Sequence, residues 1–235
     1  MSSTLDPGVE YVVLCGPGHE RVGYAPKAEV HHEKTPLHLA FSCYLFDSAG
    51  RFLVTRRART KLTWPGVRTN SCCGHPGPAE PMAEAVARRL ADELGVFADR
   101  IDLTLPAFQY RATMADGTQE NEVCPVYRAL IDGDVTPRRN PVEVDEVSWV
   151  EWPRFVAEVL ADPESVSPWC ALQVSALDRL GHDPLAWPVA VDAELPPAAR
   201  EPLEVGGVCA GPVGSRGASE LEDGGLPKPP EGHTT

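Results

Sequence analysis

Apolar runs separated by short turn-forming segments predict a set of β-strands joined by hairpins. The longest run, from Leu37 to Phe46, is suited to a buried strand. Ser48-Ala49-Gly50 then predicts a turn into a hairpin partner over residues 51–56. Shorter runs predict further strands at residues 10–15, 108–111, 120–127 and 144–152. Pro125 places the 120–127 strand near a sheet edge or a bulge, because proline donates no ladder hydrogen bond.

The segment from residue 81 to 95 predicts a helix. Val86, Leu90 and Leu94 recur at four-residue spacing. Pro81 suits the first turn, and Gly95 stands where a C-terminal cap belongs. Helical periodicity also covers residues 153–160 and 168–180. Antiparallel hairpins combined with a few helices indicate an α+β fold.

The chain changes character near residue 185. No aromatic residue follows Trp187, and proline and glycine become frequent in an acidic segment. Such a composition buries too little apolar surface to offset chain entropy. We therefore expect a folded domain over residues 1–184 and a disordered tail over residues 185–235. Truncation near residue 185 is expected to leave activity intact.

Composition narrows the classes of partner and location. The 235 residues are 43% hydrophobic, enough for a core, and no apolar run is long enough to span a membrane. The net charge of −13 argues against nucleic acid and stable association with anionic membranes. The N-terminus shows no secretory signal, so a cytoplasmic location is expected. Seven cysteines without paired spacing argue against a disulfide framework.

The acidic character of the chain is interrupted by a basic segment. Residues 48–79 contain no Asp or Glu, but they contain Arg51, Arg56, Arg57, Arg59, Lys61 and Arg68. This segment fits a small anionic ligand such as a diphosphate. A solvated basic edge explains the same pattern equally well.

Several residues could support acid–base and metal chemistry. Cys73 and His75 share a face if their segment is extended, and so do Glu120 and Glu122 on a strand. With histidines near the start of the long apolar run, these groups would suit a first-row divalent metal. His31 and His38 are the candidates there, and His32 competes with His31 on spacing alone.

The stretch from Gly74 to Val96 resembles the Nudix box, a loop–helix–loop that holds a metal-diphosphate. Gly74, Glu80 and the segment 88–96 carry this resemblance. Arg89 and Asp92 stand where the box has glutamates, and Arg89 argues against ordinary pyrophosphate hydrolysis. The fold implied is a Nudix-like α/β/α sandwich with mixed and antiparallel sheets.

Longer motifs resemble one particular family, the type 1 isopentenyl-diphosphate isomerases. These motifs are H-L-A-F-S (38–42), T-R-R-A (55–58), W-P-G-V-x-T-N-S-x-C-G-H-P (64–76), F-x-Y-R-A-T (108–113), E-N-E-V-C-P-V (120–126) and S-P-W (167–169). The resemblance covers roughly residues 10–181. It implies an enzyme that interconverts isopentenyl and dimethylallyl diphosphate by protonation and deprotonation, in isoprenoid biosynthesis.

The resemblance also assigns roles to individual residues. The implied catalytic residues are Cys73, Glu122, Tyr110 and Trp169, and the implied diphosphate-binding cations are Lys27, Arg57, Lys61 and Arg89. The implied metal ligands are His31, His38, His75, Glu120 and Glu122, with Cys73 beside them, and Glu93 for Mg²⁺. The first metal is expected to be Zn²⁺ or Mn²⁺. Cys73 and Glu122 are the acid–base pair, and the sequence does not assign the direction of each proton transfer.

Two other functions compete with the isomerase at this stage. A Nudix hydrolase explains residues 74–96 but leaves Cys73, the three histidines and the Glu120/Glu122 pair unexplained. A metal-stabilised binding module would show full metal content without proton exchange into substrate. In each case the partner is a small molecule, and we expect a monomer or weak dimer.

Overall fold

The computed structural model describes residues 5–133 and 135–200. The strands are β1 (Tyr11–Cys15), β2 (Arg21–Pro26), β3 (His38–Leu39), β4 (Phe41–Asp47), β5 (Arg51–Arg57), β6 (Arg68–Thr69), β7 (Cys72–Gly74), β8 (Arg100–Leu105), β9 (Gln109–Thr113), β10 (Gln119–Val123), β11 (Val126–Ile131) and β12 (Val144–Glu151). The helices are α1 (Lys27–Val30), α2 (Met82–Leu94), α3 (Trp152–Ala161), α4 (Pro168–Asp178) and α5 (Pro197–Arg200). Short 3₁₀ turns occupy Pro163–Ser165, Pro184–Ala186 and Asp192–Glu194.

The strands of the described residues form two sheets. The first has the order β2-β1-β3-β10-β9, and the second has the order β12-β5-β4-β11-β8, with β6 beside β5 and β7 beside β4. The pairs β3/β10 and β4/β11 are parallel, whereas the other pairs are antiparallel. The expected mixed and antiparallel sheets are confirmed, although the parallel pairs are not hairpins.

Two segments predicted as continuous strands each divide and pass from one sheet to the other. The run 37–46 divides at Ala40 into β3 and β4, and the run 120–127 divides before Val126 into β10 and β11. The segments stay paired through the division, because the Ala40 amide donates to the carbonyl of Val123 (2.9 Å). Pro125 has no N–H to extend a ladder and stands at this transition. The same two segments thus form the parallel pair β3/β10 in the first sheet and the parallel pair β4/β11 in the second.

Strand β4 is buried on both faces, which explains its unbroken apolar sequence. Cys43 and Leu45 belong to one core cluster, which includes the buried face of α2. Tyr44 and Phe46 belong to a second, aromatic cluster formed with α3 and α4. Helices therefore pack on both sides of the sheet that contains β4, as an α/β/α sandwich requires.

Helix α2 follows its sequence signals closely. It begins after Pro81, and Val86, Leu90 and Leu94 are fully buried on one stripe. Gly95 has a φ of 62°, the left-handed conformation that glycine adopts without strain, and its N–H bonds to the carbonyl of Ala91. The predicted helix and its cap are confirmed.

The tail expected from residue 185 onward is ordered over its first part, which corrects the predicted boundary. Trp187, Leu195 and Ala198 are buried in the two core clusters. Arg128 donates to the carbonyls of Pro184 and Trp187, and so it fixes the segment to β11. Trp187, with Leu195 and Ala198 after it, buries enough apolar surface to dock this Pro-rich segment. The rest of the predicted tail, residues 201–235, lies outside the described residues.

The six cysteines within the described residues are free thiols, as expected, and Cys209 lies outside those residues. No helix in residues 5–133 and 135–200 combines the length and apolar character needed to cross a bilayer.

Candidate active site

A cavity of about 600 Å³ collects most of the predicted site residues. Its lining includes Lys27, His31, Arg57, Lys61, Cys73, His75, Arg89, Tyr110, Glu120, Glu122 and Trp169. His38 and Glu93 are buried and do not line it: His38 lies behind Glu122, and Glu93 lies beside Arg89. The structure therefore brings together residues as far apart in the chain as Lys27 and Trp169.

Glu122 is positioned by the strand order of the first sheet. On β10 it is the register partner of His38 on β3 and of Tyr110 on β9. Side chains opposite each other on neighbouring strands lie on the same face, so the three form a row across the sheet. Burial and the charge of Glu122 raise the pKa of Tyr110 well above its ordinary value, so the phenol keeps its proton. Tyr110 and Glu122 are register neighbours, and no hydrogen bond joins their side chains among the described residues.

Cys73 comes from the other sheet. It lies on β7 opposite Ser42 of β4, and its Sγ is 3.4 Å from Ser42 Oγ and 3.2 Å from Asn70 Nδ2. Burial raises the pKa of Cys73 to about 12, so the thiol holds its proton at neutral pH. Cys72 points into the opposite core cluster, as the alternation of an extended segment predicts.

His31, His38, His75 and Glu122 form a candidate metal centre. One ligand atom from each lies within 4.8 Å of the others, so small side-chain shifts would bring all four to bonds of about 2 Å with a shared ion. His31 Nε2 is also 3.0 Å from Glu120 Oε2. Cys73, expected beside these ligands, is outside the group and bonds to Ser42 and Asn70 instead.

The donor atoms of this centre lack other partners. His31 Nε2, His38 Nε2, both ring nitrogens of His75 and Glu120 Oε2 are buried and have no hydrogen bond of acceptable geometry to a described residue, although His31 Nε2 and Glu120 Oε2 lie 3.0 Å apart. The contacts from Glu122 to His75 and His38, at 3.4 and 3.6 Å, are longer than ordinary hydrogen bonds. Unpartnered buried polar atoms are costly. Their convergence fits a bound divalent metal.

The protonation states of His75 and Glu122 suit metal binding. Burial lowers the pKa of His38, but Glu122 outweighs burial and raises it, so this imidazole would have to release a proton to coordinate a metal. Burial lowers the pKa of His75 to about 3, so its imidazole is neutral. Burial acts against ionisation of Glu122, but His38 and His75 outweigh it and hold the pKa of that carboxyl well below its ordinary value. The ring Nδ1 of His38 is 2.9 Å from the carbonyl of Pro36, which orients Nε2 toward the centre. Neutral imidazole and carboxylate are the forms that coordinate metal.

The predicted diphosphate-binding cations already have partners. Lys27 pairs with Glu10 at 2.8 Å, and Arg57 donates to the carbonyl oxygen of Thr63 at 2.9 and 3.0 Å. Lys61 pairs with Glu143. Of the basic segment 48–79, Arg57 and Lys61 line the cavity, whereas Arg51, Arg56 and Arg59 are exposed, so the segment is in part a binding surface and in part a solvated edge.

Arg89, which replaces a Nudix-box glutamate, joins two carboxylates. Its Nη2 lies 2.7 Å from Glu93 and 3.2 Å from Glu143. Lys61 and Arg89 outweigh the effect of burial and lower the pKa of Glu143 to about 2, so its carboxylate stays ionised. The sequence analysis missed Glu143 and Glu10, since neither belongs to a motif or a regular spacing.

Trp169 lies at the start of α4 with its ring among other aromatic and cationic groups. Its Nε1 donates to Asn70 Oδ1 at 3.0 Å, and its ring centroid is 5.8 Å from that of Tyr110. The guanidinium of Arg57 lies 5.4 Å from the ring centroid. Trp169 is thus a wall of the cavity as well as a core residue.

Comparison with known proteins places this site in a family. The NUDIX domain matches residues 36–170. Isopentenyl-diphosphate Delta-isomerase of Saccharopolyspora erythraea is 51% identical over 191 residues, which are 81% of this chain and 97% of that protein. The enzyme of the same name from Rhizobium rhizogenes is 51% identical over 206 residues, 87% of this chain and 98% of that protein.

Solved structures agree on the fold. A crystal structure from Deinococcus radiodurans superposes with a TM-score of 0.54 at 22% identity, covering 71% of this chain and 98% of that one. Since the NUDIX match covers more than half of the residues and the relatives align along most of their length, the chain belongs to the isopentenyl-diphosphate Delta-isomerases of the NUDIX domain family.

Proposed function

We propose that this chain interconverts isopentenyl and dimethylallyl diphosphate with Cys73 and Glu122 as its acid–base pair. In the forward direction one group adds a proton to the terminal carbon of the double bond. The other removes a proton from the carbon on the far side of the resulting tertiary cation, so the net proton count is unchanged. The observation that supports this proposal is that Cys73 and Glu122, from different sheets, line one cavity with Tyr110 and Trp169.

The cationic intermediate needs stabilisation in a site shielded from water. The indole face of Trp169 supplies it, because a cation over a desolvated tryptophan is stabilised by about 2 kcal/mol or more. The buried phenol of Tyr110 is the register neighbour of Glu122 and remains protonated, so it can donate to that carboxylate when substrate is bound.

The diphosphate binds at the cations of the cavity. Lys27, Lys61 and Arg89 each hold a carboxylate in the structure, so substrate binding exchanges these ion pairs for bonds to phosphate oxygens. Arg57 adds a fourth positive charge beside Trp169. By resemblance to the family we assign Glu93 to a Mg²⁺ ion that would accompany the diphosphate. Its carboxylate is paired with Arg89 at 2.7 Å, so it would hold the ion only after Arg89 turns to the diphosphate.

The histidine centre would hold Zn²⁺ or Mn²⁺ through His31, His38, His75 and Glu122, with Glu120 next to His31. When bound, the ion supplies positive charge that orients Glu122 and tunes its basicity. His38 is fully buried and anchors the centre from behind the cavity.

The test is incubation of the purified protein with isopentenyl diphosphate and Mg²⁺ in D₂O, followed by NMR. Wild type should give deuterium-labelled dimethylallyl diphosphate. Cys73→Ala and Glu122→Gln should retain the fold and lose turnover by a factor of about 10² or more, since each lacks one proton carrier. Inorganic phosphate or pyrophosphate without the allylic product would instead identify a hydrolase, and bound metal without any reaction would identify a binding module.

A further inference from the structure

Asn70 occupies the turn between β6 and β7 and is fully buried beneath the cavity. It is not part of the cavity lining. Its side-chain amide nevertheless contacts two residues that are: Cys73 and Trp169.

The orientation of this amide is determined by its partners. Trp169 Nε1 can only donate, and it bonds to Oδ1 at 3.0 Å. The carbonyl of Cys72 can only accept, and it receives a bond from Nδ2 at 2.7 Å. A second carbonyl, that of Cys43, lies 3.2 Å from Nδ2. A rotated amide would lose these bonds, so Asn70 is held in one orientation.

Both ends of the fixed amide reach the sulfur of Cys73. Nδ2 lies 3.2 Å and Oδ1 lies 3.3 Å from Sγ. The oxygen can accept a hydrogen bond from the thiol, and the nitrogen can donate one to the thiolate. Nδ2 has two N–H groups for three acceptors, so a bond to the thiolate would replace the longer one to the Cys43 carbonyl. With that exchange, Asn70 can bond to Cys73 before and after proton transfer without rotating.

We propose that Asn70 is a positioning residue that holds the thiol of Cys73 and the indole of Trp169 in one fixed arrangement. This inference rests on the proposed roles of those two residues. The proton carrier and the ring that stabilises the cation then keep a constant separation around the substrate. A displacement of about 1 Å in such a site reduces the rate roughly 10²-fold.

Steady-state kinetics of Asn70→Ala test the proposal. The variant should keep the KM for isopentenyl diphosphate within about twofold, because no diphosphate-binding cation contacts Asn70, while kcat falls at least tenfold. The matched control is Thr69→Val. The Thr69 hydroxyl also bonds to Asn70 Oδ1, at 2.9 Å, but its other partner is Ser167 and the bonds from Asn70 to Cys73 and Trp169 remain, so kcat should fall much less than in Asn70→Ala.

A substitution at Trp169 tests the hydrogen bond to Asn70 from its donor side. Its result does not require that Asn70→Ala folds. Trp169 is replaced by benzothienylalanine, which keeps a ring of the same shape but lacks the N–H. Its kcat should also fall severalfold at unchanged KM. When this replacement is combined with Asn70→Ala, the fold-loss in kcat should be smaller than the product of the two single fold-losses, because both changes remove the same hydrogen bond.

Two outcomes would overturn the proposal: a folded Asn70→Ala with kcat within twofold of wild type, or a benzothienylalanine protein with undiminished kcat. The proposed function fails in a different way. If Cys73→Ala turns over normally, the acid–base pair and the role of Asn70 are both wrong. If Cys73→Ala is inactive while Asn70→Ala is fully active, only the role of Asn70 is wrong.

Discussion

At the scale of single residues, Glu143 shows that a carboxylate outside every sequence motif can pair with the cations of the cavity. It is ionised between Lys61 and Arg89, which lower its pKa to about 2 from an ordinary value of 4.5. Because the folded-state pKa is lowered, the stabilisation is complete above pH 4.5 and is lost as the pH falls toward 2. Glu143 is partly exposed, so solvent screening reduces this contribution to about 1 kcal/mol.

We therefore expect Glu143→Gln to lower the free energy of unfolding by about 1 kcal/mol at pH 7. The difference in the free energy of unfolding between this variant and wild type should narrow steadily below pH 4.5. Urea unfolding followed by circular dichroism at a series of pH values measures both. The control is Glu146→Gln, whose carboxylate forms an exposed pair with Arg56 and should change stability by less than about 0.5 kcal/mol. A gap that stays constant with pH would show that Glu143 does not act through its charge.

The histidines of the metal centre give a second residue-scale prediction, which decides between the neighbours His31 and His32. His31 is in the four-residue ligand group, whereas His32 is not, and His32 Nδ1 accepts from the amide of Lys34 at 3.1 Å. His31→Ala should weaken metal binding at least tenfold, and His32→Ala should leave it unchanged. Metal content after dialysis against buffered Zn²⁺ or Mn²⁺ measures the difference. Metal loss in His32→Ala with retention in His31→Ala would reverse the assignment.

At the scale of elements, the end of α2 depends on one glycine. Gly95 has a φ of 62°, and a Cβ there would lie 3.2 Å from Arg138 Cβ and 3.3 Å from its carbonyl oxygen. Gly95→Ala should therefore cost about 1 kcal/mol for the left-handed backbone and more for the contact with Arg138. Gly133→Ala is the matched control, because Gly133 has a φ of 81° with open space around it. Thermal unfolding should show a larger loss of stability for Gly95→Ala than for Gly133→Ala. Equal losses would show that the contact with Arg138 does not contribute.

The same helix shows which parts of the fold the sequence can predict. The stripe of Val86, Leu90 and Leu94 and the cap at Gly95 are local signals, and local signals decided where α2 lies. The division of the 37–46 and 120–127 runs between two sheets is not local. It depends on Ala40 pairing with Val123, more than 80 positions away, and no pattern within either run shows it.

At the scale of the whole molecule, the site combines residues that the sequence could and could not identify. Cys73, His75 and Glu122 were identified because they lie in long motifs or share a strand face. Glu10 and Glu143 reach the same cavity from isolated positions, and Asn70 acts through contacts that exist only when α4 packs against the β6–β7 turn. Their positions follow from tertiary packing, which motif spacing does not encode.

The docking of the C-terminal segment gives the last prediction. Trp187 is 3% exposed and packs edge-on against Phe46 and Trp152, with ring centroids 5.5 and 5.3 Å away. The buried guanidinium of Arg128 also bonds to the carbonyl of Trp187. Removing a buried tryptophan costs about 3–5 kcal/mol, a large share of the roughly 5–15 kcal/mol that stabilises a domain.

A chain that ends at residue 184 should therefore unfold at a much lower temperature and lose turnover with the fold, contrary to the expectation from composition. A chain that ends at residue 200 keeps every described contact of the segment and should match the full-length protein in melting temperature and kcat. Full-length Trp187→Ala should reproduce most of the destabilisation, because the same aromatic contacts are lost. If the 184-residue chain is as stable as the full-length protein, Trp187 merely covers a core that is complete without it, and the domain ends where its composition changes.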